Sequence, residues 1–216
     1  VNTTYLNSSI SVASSGVTIK QSNVSAASAN LDVKVQLANK TGASVTRTVE
    51  VTVYEKNGTV KTSATKQVTL AAGAATSADL ALTVSTPHLW NGKKDPYLYK
   101  VHVALKNGDA VEHKVIQPLG LRYWEISKTE GFKLNGVSYP LRGIAIHDAV
   151  KDKGRAASDA DRKLDLDLML ETGANYLRLA HYQHGDFTYD YLDEKGIICW
   201  TEIPVVEQTA PNQASH

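Results

Sequence analysis

Apolar and polar residues alternate with a period of two through the first 120 positions. LDVKVQLAN (31–39) puts Leu31, Val33, Val35 and Leu37 on one face, and TRTVEVTVYEKNG (46–58) does the same with Val49, Val51 and Val53. TKQVTL, ADLALTV and YLYKVHVAL continue the alternation. Successive side chains of a strand point to opposite faces, so this pattern predicts strands with one buried face. Asn57-Gly58 and Asn107-Gly108 fall between or after such runs, where tight hairpins take Asn-Gly. About seven short strands of this kind describe an antiparallel β-sandwich of immunoglobulin type. No helical period appears in this stretch.

After residue 120 the period changes. GFKLNGVSYPLRG (131–143) reads as a hairpin turning on Asn135-Gly136 and leading into a strand, LRGIAI (141–146). Ser158, with Asp161 three residues later, is close to a capping box. It opens a helix with an apolar stripe of Leu164, Leu168 and Met169, and Gly173 suits the C′ position. NYLRLA (175–180) is a second strand, and a helix over 186–195 buries Phe187, Tyr191 and Leu192 before stopping at Gly196. GIICWTEIP (196–204) is a third strand. Strand, helix, strand, helix, strand with short loops predicts parallel βα units. Two domains follow, 1–120 and 121–216.

Composition sharpens the division. The chain has 216 residues, 42% hydrophobic and 21% charged, with a net charge of +1. Such a balance gives no sign of a nucleic-acid or membrane partner, and no 18-residue apolar run predicts a transmembrane helix. Charge is uneven along the chain, however. Residues 1–120 carry 12 Lys and Arg against 7 Asp and Glu, and residues 121–216 carry 11 against 15. Cys199 is the single cysteine, so no intrachain disulfide can form.

Candidate chemistry lies in the second half. Parallel βα folds bind ligands at the carboxyl ends of their strands. The three predicted strand ends carry His147-Asp148, then His181-Tyr182, then Glu202. Taken singly, His181 and His147 read as hydrogen-bonded structural histidines, and Glu202 with Arg178 reads equally well as a structural ion pair. Recurring at three successive strand ends, they point to a site, with Arg178 directed into a barrel-like interior and His181 at its mouth. His184 is expected to face solvent, and His102 to point outward on a sandwich strand. Trp90 and Trp124 are expected in or beside the sandwich, while Trp200 fits either site or core. One His per strand is weak support for a zinc centre.

The run NYLRLAHY (175–182) resembles the Asn-x-aliphatic-Arg-x-x-His-Tyr signature of glycoside hydrolase family 2. PHLWNGKKDPYLYKV (87–101) is similar to the end of that family's immunoglobulin-like domain, and LGLRYWEI (119–126) to its join with the barrel. FKLNGVSYPLRGIAIHD (132–148) resembles its entry hairpin and first strand, and GIICWTEIP its third. The β-galactosidases are the branch it most resembles. The fold this implies is an immunoglobulin-like antiparallel β-sandwich (1–120) followed by an incomplete (β/α)8 TIM barrel (121–216, first three strands).

The resemblance further implies retaining hydrolysis of β-glycosides by two glutamates about 5–5.5 Å apart. Both are expected beyond residue 216, and a jelly-roll domain before Val1, so the chain is expected to be an inactive piece of a larger enzyme. Arg178 would hold the nucleophile's carboxylate, and His147 and His181 would donate to sugar hydroxyls. Asp148, Tyr182 and Glu202 would be their neighbours. Two positions depart from the pattern. Gln183 stands where many members have Pro, and Val206 and Gln208 stand where metal-dependent β-galactosidases place a Glu and a His on magnesium. No cofactor is therefore expected. Partners are expected to be a carbohydrate substrate and, through the open barrel edge, a second copy of the chain. The rival readings are a β-glucuronidase or β-mannosidase, or a non-catalytic module that docks sugars or a protein. The lack of any Trp before Trp90 speaks against a sugar-stacking platform on the sandwich.

Overall fold

The computed structural model describes residues 4–6 and 15–204. They fall into two compact units, Val1–Trp90 with Tyr97–Tyr123, and Asn91–Pro96 with Trp124–His216.

Eight strands form the described part of the first unit: β1 (Thr4–Leu6), β2 (Val17–Ser22), β3 (Ser28–Asn39), β4 (Val45–Tyr54), β5 (Val60–Leu70), β6 (Ala75–Ser85), β7 (Tyr99–Asn107) and β8 (Ala110–Leu119). β3 pairs β6 along one edge and β2 and β1 along the other, all antiparallel. The second sheet runs β5-β4-β7-β8. Alternation sends Leu31, Val33, Val35 and Leu37 inward from β3, and Val49, Val51 and Val53 from β4, each at most 1% exposed. Leu80, Leu82 and Val84 of β6 and Val101, Val103 and Leu105 of β7 join the same core. Burying such a side chain fully contributes about 1.5–3 kcal/mol. Trp90 is also buried, with the Arg122 guanidinium 4.5 Å from its ring centroid. Trp124 is not: it opens the second unit 62% exposed and stacks on Phe132.

The second unit begins with a meander of β9 (Trp124–Ser127), β10 (Gly131–Leu134) and β11 (Val137–Ser138). Leu134 pairs Val137, leaving Asn135 and Gly136 as a two-residue turn with φ of 51° and 78°. Two positive φ values in succession define the turn that Asn-Gly favours. Then come β12 (Gly143–Ile146), α1 (Asp159–Glu171), β13 (Tyr176–Leu179), α2 (Asp186–Lys195) and β14 (Ile198–Thr201). The three strands are parallel in the order β12-β13-β14.

Local signals explain both helices. Ser158 accepts from the Asp161 backbone N–H while the Asp161 carboxylate accepts from the Ser158 N–H, a complete capping box. Gly173 follows the C-cap at φ 85°, and α2 ends on Gly196 at φ 73°. Leu166, Leu177, Leu179, Tyr191, Leu192 and Ile197 form the core between helices and sheet. The stripe of α1 differs from the sequence expectation. Leu164 and Leu168 are 61% and 54% exposed, and Leu166 is buried with Met169 and Leu170 against the same cluster. The helix carries two leucine rows spaced by four, and packing takes the row that meets Leu177 and Leu179.

Candidate active site

On β13 the buried side chains are Leu177 and Leu179, both 0% exposed and in the core with the helices. Period two therefore places Arg178 on the opposite face of the sheet. In register it lies between Ala145 of β12 and Trp200 of β14. Glu202 is two residues beyond Trp200, just past the carboxyl end of β14, and His181 is two residues beyond β13. The chain thus carries a charged residue through a packed sheet without burying it.

These three side chains meet. Arg178 Nε donates to Glu202 Oε1 at 2.6 Å, and His181 Nδ1 lies 2.9 Å from Glu202 Oε2. Arg178 Nη2 is 3.3 Å from the same His181 nitrogen. The Arg178 guanidinium, and after it the His181 contact, hold the Glu202 carboxyl below the usual carboxylate range, and Glu202 in turn raises Arg178. The Arg178 and His181 side chains remain 42% and 40% exposed, so the cluster stays open to a ligand.

His147, just after β12, joins from the side. Its ring stands edge-on to His181 at 5.2 Å and tilted to Tyr182 at 6.2 Å. Tyr182 is capped on one side by the Arg155 guanidinium, 4.3 Å from the ring centroid, and stacks on His184 at 5.5 Å. Asp148 turns away. Arg162 of α1 grips it through Nε to Oδ1 at 2.9 Å and Nη2 to Oδ2 at 3.3 Å. That grip holds the Asp148 carboxyl below its ordinary range.

Of the six residues read from the sequence, five therefore share one patch: His147, Arg178, His181, Tyr182 and Glu202. Asp148 anchors the loop behind it. His184, expected in solvent, is 6% exposed, with Nε2 3.1 Å from the Ala180 carbonyl oxygen and its own N–H donating to Tyr189 Oη. A tight turn between β13 and α2 folds it back under Tyr182. Beneath this patch His147, Asp148, Arg162, His184 and Thr188 help to line a cavity of 20 Å³, room for a water and not for a sugar. Arg155 and Arg162 were not singled out by sequence, since a solvated cation and a tethered one read alike.

Among the described residues no three His, Cys, Asp or Glu side chains are arranged to hold a metal ion. Val206 and Gln208 lie outside the described residues. The valine side chain carries no metal donor and Gln208 offers only a neutral amide, so these two side chains do not fit the Glu and His magnesium ligands that the family resemblance implies.

A β-sandwich is followed by the opening strands of a TIM barrel, and polar side chains gather at those strands' carboxyl ends, the end at which barrel enzymes carry their sites. Residues 11–122 match glycosyl hydrolases family 2, and residues 125–216 match the family's TIM barrel domain. The chain belongs to glycosyl hydrolases family 2. It is 38% identical over 201 residues to a β-glucuronidase of Bacteroides fragilis, covering 92% of this chain and 28% of that protein. A β-galactosidase of Psychromonas ingrahamii is 33% identical over 122 residues, 56% of this chain and 12% of that one. The crystal structure of a Bacteroides uniformis β-glucuronidase superposes with a TM-score of 0.90 at 29% identity, covering 98% of this chain and 25% of that one. The chain thus spans between about an eighth and under a third of these relatives.

Proposed function

We propose that these residues work within a longer retaining β-glycosidase, as its immunoglobulin-like domain and the first three strands of its barrel. One observation carries the reading: Arg178, His181 and Glu202 are joined by hydrogen bonds at the carboxyl ends of adjacent parallel strands. Glu202 engages the guanidinium through Nε, so the Nη1–Nη2 edge remains for a second carboxylate. A planar guanidinium fork suits a carboxylate that has to stay ionised. In this reading that carboxylate is the nucleophile, supplied with the general acid by chain outside residues 1–216. His147, His181 and Tyr182 line the sugar's side of the pocket, and Asp148, tied to Arg162, fixes the loop that presents His147.

The relatives' names divide between β-glucuronidase and β-galactosidase, and both sugars belong in the test. The full-length protein is expected to release nitrophenol from a β-glucuronide or a β-galactoside, with loss on His181→Ala. Absence of turnover on every β-glycoside tried, from a folded full-length protein, would overturn the reading. Self-association belongs to the same proposal. The outer edge of β14 pairs with no strand among the described residues, and Trp200 and Ile203 beside it are 58% and 78% exposed.

A further inference from the structure

Two groups compete for one ring nitrogen in the cluster. His181 Nδ1 faces Glu202 Oε2 at 2.9 Å and Arg178 Nη2 at 3.3 Å. An ionised carboxylate only accepts hydrogen bonds and a guanidinium only donates them. In a neutral imidazole, Nδ1 can serve one of the two and not both. Both alternatives have one ionised partner and are equally charge-assisted, so distance decides, and it favours the carboxylate by 2.9 Å to 3.3 Å. Arg178 gives up little, because its Nε–H already donates to Glu202 Oε1 at 2.6 Å. The other ring facing the imidazole, His147, meets it edge-on with centroids 5.2 Å apart.

We infer that Glu202 is a positioning residue that fixes the neutral His181 ring as its Nδ1–H tautomer, leaving the Nε2 lone pair to accept a hydrogen bond from a sugar hydroxyl. The tautomer of a histidine is set by the bond its other nitrogen makes, and here that bond is to Glu202. His181 then acts as an acceptor, the reverse of the donor role implied by the family resemblance. The hydroxyl it binds is oriented with its proton toward the protein, and its oxygen stays free to accept elsewhere. Arg178 supplies the contrasting pull. Without the carboxylate its Nη2–H is the nearest donor to Nδ1, and the proton moves to Nε2. Glu202 thereby selects which hydrogen-bonding sense the pocket offers.

The identity of the bound hydroxyl rests on the glycosidase reading, whereas the tautomer does not, and it can be measured without substrate. The full-length protein is labelled with ring-¹⁵N histidine, and a His181→Gln sample identifies the relevant imidazole. Long-range ¹H–¹⁵N correlation at a pH where the ring is neutral is expected to show Nδ1 protonated and Nε2 bare. Glu202→Gln and Glu202→Ala are both expected to shift the population to the Nε2–H form. Protonated Nε2 in the parent chain, or an unchanged tautomer in either folded variant, overturns the inference. The parent chain alone suffices for the first of these outcomes should a variant fail to fold.

Discussion

Arg178 leaves the core by alternation alone, since Leu177 and Leu179 on either side take the buried face. What remains for it to do is electrostatic and directional. Arg178→Lys keeps the charge and loses the fork, so Glu202 and a second carboxylate can no longer both be held in plane. In the full-length enzyme kcat is expected to fall at least about 10²-fold, the scale of removing one preorganised contact to the transition state. An unchanged kcat with a lowered Tm would show that Arg178 is structural only. Asp148 makes a different argument. Its carboxyl is depressed chiefly by the hydrogen bond from Arg162, so the folded chain binds that proton less readily than the unfolded chain. The resulting stability is present above the ordinary carboxylate range and is lost as pH falls through the depressed folded value. Arg162→Met is expected to cost about 2 kcal/mol at pH 7, the worth of a charged hydrogen-bond pair, and little at acid pH. Urea unfolding at both pH values measures it, and equal losses at the two would refute the linkage.

α1 shows what sequence makes legible in an element and what it does not. Its ends were readable because they depend on neighbours in the chain: the Ser158 and Asp161 exchange, and Gly173 in the left-handed region. Its buried face was not, because Leu164 with Leu168 and Leu166 with Leu170 are both spaced by four. Only partners elsewhere in the chain, Leu177 and Leu179 of β13 with Tyr191 and Leu192 of α2, decide between the rows. The same holds at the site. His147, His181 and Glu202 were legible as three strand ends and Arg178 as a side chain directed inward from the second strand, while the burial of His184 and the reach of Arg162 to Asp148 depend on tertiary placement. Substitutions separate the two kinds of information. Leu166→Ala is expected to cost about 3 kcal/mol, the scale of a buried leucine truncation, against about 0.5 kcal/mol or less for Leu164→Ala. Ser158→Ala is expected to cost about 1 kcal/mol through the lost cap. Thermal or urea unfolding of the three variants ranks them, and a Leu164→Ala loss equal to that of Leu166→Ala would show the face to be wrongly assigned.

At the scale of the whole molecule, the two units differ in how fully their apolar faces are enclosed. Among the described residues the sandwich core holds 21 buried side chains drawn from both sheets, while the core of the barrel strands holds six. Three parallel strands do not close a barrel, and the outer edge of β14, flanked by Trp200 and Ile203, pairs with no strand among the described residues. An apolar strand edge of this kind pairs with another chain unless something covers it. The 216-residue chain by itself is therefore expected to self-associate through residues 196–204 or to be cut readily beyond about residue 127, where local opening costs least. It is also expected to leave nitrophenyl β-glycosides intact, because the proposed nucleophile and acid come from chain outside it. Limited proteolysis, read by mass and run beside sedimentation velocity, separates the outcomes. A protected core ending near residue 127, or a dimer weakened by Trp200→Lys, fits the open edge. A strictly monomeric chain whose residues 128–204 resist protease as long as the sandwich does would mean that the three strands are stable without a partner, and the self-association proposal would fall.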